Sequence, residues 1–146
     1  MCRLVALLVL LPAVLAAAPL RHFEVQASFV APKKAGGDGA VAVRLRALDP
    51  DMKVNESPAP RLRLDAGQLV LVDRQPPPDG QVPDYDPLTA RYVDLAKPLL
   101  FPVALAAAAP QGEQSVKAKV VFFYCSQREG WCRRGTADVE FPVVVR

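Results

Sequence analysis

From residue 22 onward the chain is governed by alternation of apolar and polar positions. His22–Val30 (HFEVQASFV) places Phe23, Val25, Ala27 and Phe29 on one face, the period-two spacing of a half-buried strand. Ala40–Leu48 repeats this with Val41, Val43, Leu45 and Ala47. The run KKAGGDG between them supplies a turn, so the two segments read as a hairpin. Asp49–Pro60 (DPDMKVNESPAP) is crowded with turn formers and reads as a connection. Two short apolar runs follow, Leu62–Leu64 and Leu69–Val72, split by an Asp-Ala-Gly turn. Arg74–Pro87 (RQPPPDGQVPDYDP) is expected as a surface loop, because its prolines remove the donors that a sheet needs.

The second half is patterned less evenly. Leu88–Lys97 (LTARYVDLAK), bracketed by Pro87 and Pro98, suits either a short amphipathic helix or a strand. Leu99–Ala108 reads as a buried strand, with Pro102 marking it as an edge or bulged one. Ser115–Cys125 sets Val116, Ala118, Val120 and Phe122 against Lys117 and Lys119, and Thr136–Arg146 closes the pattern. Seven short strands with turn signals between them predict an all-β fold, an immunoglobulin-like β-sandwich.

The first residues break the alternation. Arg3 precedes an apolar run from Leu4 to Leu15 that ends in Ala16–Ala18, the three-part layout of a cleavable signal peptide. The run is shorter than the roughly 20 apolar residues of a spanning helix, and Pro12 interrupts it. Residues 1–16 are therefore expected to be removed, leaving a single domain over 17–146 that is periplasmic or otherwise exported, with no stable membrane insertion after cleavage. Cys2 leaves with the peptide. The net charge of +3 is spread among interleaved acids and bases, so no nucleic-acid surface is expected.

Export changes how the remaining cysteines are read. Of the 3 in the chain, Cys125 and Cys132 stay, with SQREGW between them. Cys125 ends one expected strand, so a hairpin would set the two sulfurs across the ladder, close to bridging distance. An oxidising compartment favours the bond. As a staple it is modest: closing so short a loop contributes about 2.5 kcal/mol in the chain-entropy estimate. A bridge between hairpin strands is also prone to exchange. Arg128, Arg133 and Arg134 surround the pair, and a nearby cation favours the thiolate that attacks disulfides. Trp131 either shields the sulfurs or packs on the sandwich.

Val116–Arg134 (VKAKVVFFYCSQREGWCRR) resembles the active-site hairpin of the periplasmic N-terminal domain of DsbD-type thiol:disulfide interchange proteins. Asp84–Val103 (DYDPLTARYVDLAKPLLFPV) is similar to that domain's loop and following strand. Together these stretches cover just under a third of residues 17–146; the N-terminal half is similar only in strand character. The resemblance implies an immunoglobulin-like fold in which Cys125 and Cys132 cycle between dithiol and disulfide. It implies thioredoxin-like periplasmic partners, and Tyr85 as an aromatic cap over the disulfide, with Leu88 the lesser candidate. Two departures stand out. The cysteines are separated by one residue more than in the best-known members, and neither a membrane electron-transfer domain nor a Cys-x-x-Cys motif is present. Any membrane electron donor would then be a separate protein.

Other chemistries lack residues. His22 is the only histidine, too few ligands with two cysteines for a metal site and too far from any nucleophile motif for a hydrolytic triad. No metal and no cofactor are expected. Asn55-Glu56-Ser57 matches a glycosylation sequon, but Pro58 follows it directly. Two functions remain, and the residues leave open whether either is enzymatic: a thiol:disulfide relay of protein-disulfide reductase type, or a non-enzymatic β-sandwich interaction module with an inert structural disulfide.

Overall fold

Alternation along the chain becomes two-sided packing in the computed structural model, which describes residues 21–34, 37–77 and 80–146. The segment expected to be a signal peptide lies outside these. Eight strands form among the described residues: β1 (Phe23–Val30), β2 (Gly39–Ala47), β3 (Met52–Val54), β4 (Arg61–Leu64), β5 (Leu71–Asp73), β6 (Leu99–Leu105), β7 (Gly112–Ser126) and β8 (Trp131–Val145). They make two antiparallel sheets. One runs β1-β2-β6-β5; in the other, β7 pairs β8 on one side and β3 and β4 on the other. The protein is an all-β sandwich, and no described helix is long and apolar enough to cross a membrane.

The apolar face of each sheet supplies the core. Val41, Val43 and Leu45 of β2, Val116, Ala118, Val120 and Phe122 of β7, and Phe141 and Val143 of β8 are all buried. Burying side chains of this kind contributes roughly 1.5–3 kcal/mol each, the main drive to close the sandwich. At one end Phe23 meets Phe122 and Tyr124 edge-on, with ring centroids 5.2 Å apart in both pairs. Because successive side chains of a strand point to opposite faces, the residues between these core positions, Phe123 and Cys125 among them, look away from the core. That parity places the sulfurs on the outer face of their sheet.

The hairpin read from the pattern of Phe23–Ala47 forms, with Phe23 opposite Ala47 and Val30 opposite Ala40. Four expectations need correction. β3 lies inside the run read as a connection; three residues among turn formers carry too little alternation to be seen, and pairing with β7 creates the strand. Pro102 is not on an edge strand, since β6 lies between β2 and β5. Its carbonyl accepts from Arg74 N–H at 3.1 Å, and in an antiparallel strand its ring nitrogen faces that same side. The β5 ladder ends at Asp73, so the missing N–H falls where the pairing is already closing. Leu88–Lys97 is neither helix nor named strand: a turn closes at Asp86–Ala90, then Tyr92 bridges Asn55. Finally, β8 begins at Trp131 rather than Thr136, drawn forward by the long ladder with β7.

Candidate functional site

The β7–β8 register sets Cys125 directly opposite Cys132. Their Cα atoms are 4.0 Å apart and the disulfide is formed. Gln127–Gly130 make the tip. Gly130 donates its N–H to the Ser126 carbonyl at 3.0 Å and has φ 71°, a left-handed conformation that suits glycine. Asp51, just before β3, ties the tip down. Its carboxylate accepts from the Ser126 hydroxyl and from the Arg128 N–H at 2.6 Å. The Ser126 hydrogen bond is the chief cause holding the Asp51 carboxyl below its ordinary value, helped by Arg128 and opposed by burial.

A loop covers the sulfurs from outside. Residues Asn55–Ser57, Pro83–Asp86 and Thr89–Arg91 surround a cleft of about 200 Å³ that has Cys125 and Cys132 in its lining. Asp86 shapes the loop by accepting from the Leu88 N–H at 2.9 Å and the Thr89 hydroxyl at 2.7 Å. Those bonds, Thr89 first, hold its carboxyl below the usual value. Tyr85 reaches the hairpin and donates its hydroxyl to the Gln127 carbonyl at 3.2 Å. Its ring lies against Gly130, where an added Cβ would sit 3.5 Å away. Burial, with Tyr85 nearby, pushes the Tyr92 phenol up. Leu88 is 92 % exposed and turns away from the cleft.

The two sulfurs differ in access. Cys125 is 1 % exposed, whereas Cys132 is half-buried. Lys53 of β3 stands directly opposite Cys125 on the other side of β7, on the same face by strand parity. Asn55, two residues on, donates its backbone N–H to the Phe123 carbonyl at 2.8 Å and is itself only 6 % exposed. Its side-chain Oδ1 lies 3.0 Å from Cys125 Sγ. A disulfide sulfur carries no proton, so in the oxidised protein this is a contact without a hydrogen bond.

Other residues named from the sequence are placed elsewhere. Trp131 is opposite Ser126, on the inner face, where it packs edge-on against Tyr124 at 5.9 Å and 6.5 Å from His22. It supports the sandwich end and does not shield the sulfurs. Arg133 shares that face and stacks over Trp131 at 4.3 Å. Arg128 is drawn to Asp49 at 3.8 Å. Of the three arginines, only Arg134 shares the sulfurs' face. Lys53 and Asn55 escaped the sequence reading because β3 did; the sole signal on Asn55 was its sequon, and its burial leaves no room for a glycan.

A larger groove of about 570 Å³ lies between β2 and Val93–Leu95 and contains neither sulfur. No group of three or more metal-ligating side chains is placed to hold an ion among the described residues. Comparisons with protein-family models, with curated proteins and with solved structures find no match. The chemistry open to the site is that of its disulfide: opening by an incoming thiolate, and closing again.

Proposed function

We propose that this protein is an exported thiol:disulfide interchange module of immunoglobulin-like fold, similar to the N-terminal domain of DsbD-type proteins, in which Cys125 and Cys132 relay electrons. The observation that carries this reading is the placement of the disulfide. It lies on the outer face of the sandwich, in a cleft of about 200 Å³ under a covering loop, where a staple could equally have been packed in the core. The partners are thioredoxin-like proteins that bring their own dithiol, and a separate membrane protein is the electron donor of the cycle.

Exposure orders the steps. A partner thiolate attacks the half-buried Cys132 sulfur, the Cys125–Cys132 bond breaks, and Cys125 leaves with the electron pair and takes a proton. The partner's second thiolate then attacks its own sulfur in the mixed disulfide and releases Cys132. The partner's dithiol is oxidised by two electrons and the Cys125–Cys132 pair is reduced by two; the reverse direction uses the same steps. Tyr85 holds the loop over the sulfurs until a partner displaces it.

A trapping experiment tests the assignment. Reduced Cys125→Ser protein, incubated with a thioredoxin-like protein that lacks its resolving cysteine and carries a thionitrobenzoate disulfide on the remaining one, is expected to release thionitrobenzoate and accumulate a mixed disulfide through Cys132. The converse Cys132→Ser protein, whose remaining sulfur is covered, is expected to trap at least tenfold less. Equal trapping, or none in either variant, contradicts the reading.

A further inference from the structure

Asn55 is a buried polar side chain pointed at a sulfur that cannot answer it. Among the described residues, the one group within hydrogen-bond reach of its Oδ1 is Cys125 Sγ at 3.0 Å, and in the disulfide that atom has no proton to give. A buried acceptor left without a donor is unfavourable. The backbone fixes the residue beside the sulfur: the Asn55 N–H is held by Phe123 and the residue bridges Tyr92 on its other side.

Reduction removes the mismatch. When the disulfide takes up two electrons and a proton, Cys125 becomes a thiol and its S–H lies against a waiting carbonyl oxygen, while Cys132 is left as thiolate. We propose that Asn55 is a positioning residue that favours the dithiol state over the disulfide and keeps the proton on Cys125, so that Cys132 carries the reactive thiolate. The amide acts through Cys125 and does not touch the partner. The inference concerns the same site as the proposed relay and rests on that reading for its use. Its test needs no protein partner, so failure of one is distinguishable from failure of the other.

The test measures the dithiol–disulfide equilibrium of the folded protein against a glutathione series at neutral pH for wild type, Asn55→Leu and Asn55→Asp. Leucine keeps the approximate shape and removes the acceptor; the equilibrium is expected to move about tenfold toward the disulfide, which is about 30 mV for a two-electron couple. Aspartate supplies a charged, stronger acceptor, and the equilibrium is expected to move the other way. A shift under twofold for leucine, or shifts in the same direction for both variants, overturns the proposal, since a merely loosened site would move them together. A second measurement needs no change at Asn55: the infrared S–H stretch of Cys125 in Cys132→Ser protein is expected at the low-frequency, hydrogen-bonded end of its range. A stretch at the free-thiol end overturns it equally.

Discussion

At the scale of single residues, the structure turns on a few positions where one atom more or one charge fewer is felt. Gly135 of β8 is such a place: a Cβ there would meet the Phe122 ring at 2.8 Å, and Phe122 is fully buried in the core. Overpacking of this kind typically costs about 1–3 kcal/mol. Gly135→Ala is expected to lower the urea midpoint accordingly, and an unchanged midpoint would count against the packing described. Asp51 gives a pH signature. Its folded carboxyl titrates below the ordinary value of 3.8 because the Ser126 hydroxyl holds the charged form. A lowered folded pKa adds stability above the unfolded value that is lost as pH falls through the folded one. Wild type and Asp51→Asn should therefore differ in stability at neutral pH and converge in acid below about 3.8; identical curves at neutral pH would refute the role given to Asp51. Some of these residues were legible in the sequence and others were not. Cys125 and Cys132 could be paired because they are the two cysteines left after the expected cleavage and flank one expected hairpin. Asn55 and Lys53 could not, because nothing in DPDMKVNESPAP distinguishes a three-residue strand from a turn.

Between residues and fold stand the hairpin and the loop that covers it. The β7–β8 ladder continues from Gly112–Val145 to Ser126–Trp131, so the strands are tied along their length with or without a disulfide. The bond adds little that the ladder does not already provide, so opening it would leave the strands paired. What restrains it is the loop. Tyr85 holds the loop to the tip through Gln127, and Tyr85→Ala is expected to speed reduction of the folded protein by dithiothreitol several-fold, with Tyr85→Phe intermediate because it loses only the hydroxyl contact. Equal rates in all three proteins would remove Tyr85 from its covering role. Strands long enough to alternate, β1, β2 and most of β7, were readable from the sequence. Pro102 misled because proline is excluded only where the missing N–H faces a partner, and that depends on where β5 stops. Tyr92 and Val93, equally suited to helix or strand, settle as an extended bridge because Asn55 offers them a partner.

On the scale of the whole molecule, the sandwich is a back to one disulfide on its outer face, where Cys125 is buried and Cys132 half-buried under the loop. The aromatic end, where Phe23 packs on Phe122 and where Phe23 and Trp131 each pack on Tyr124, supports the hairpin from the inner face while the sulfurs face out. Fold class was legible because every long segment alternates with period two. The covering loop was not legible from pattern: its prolines and aspartates announce a loop without saying what it lies on. The most direct test is to mix the oxidised, folded protein with a reduced thioredoxin-like protein and follow the thiol state of Cys125 and Cys132 alongside the circular dichroism of the fold. Rapid, complete exchange with an unchanged spectrum is the predicted result. Reduction that proceeds only as the fold is lost, with a potential below about −300 mV, would show an inert staple and contradict the relay.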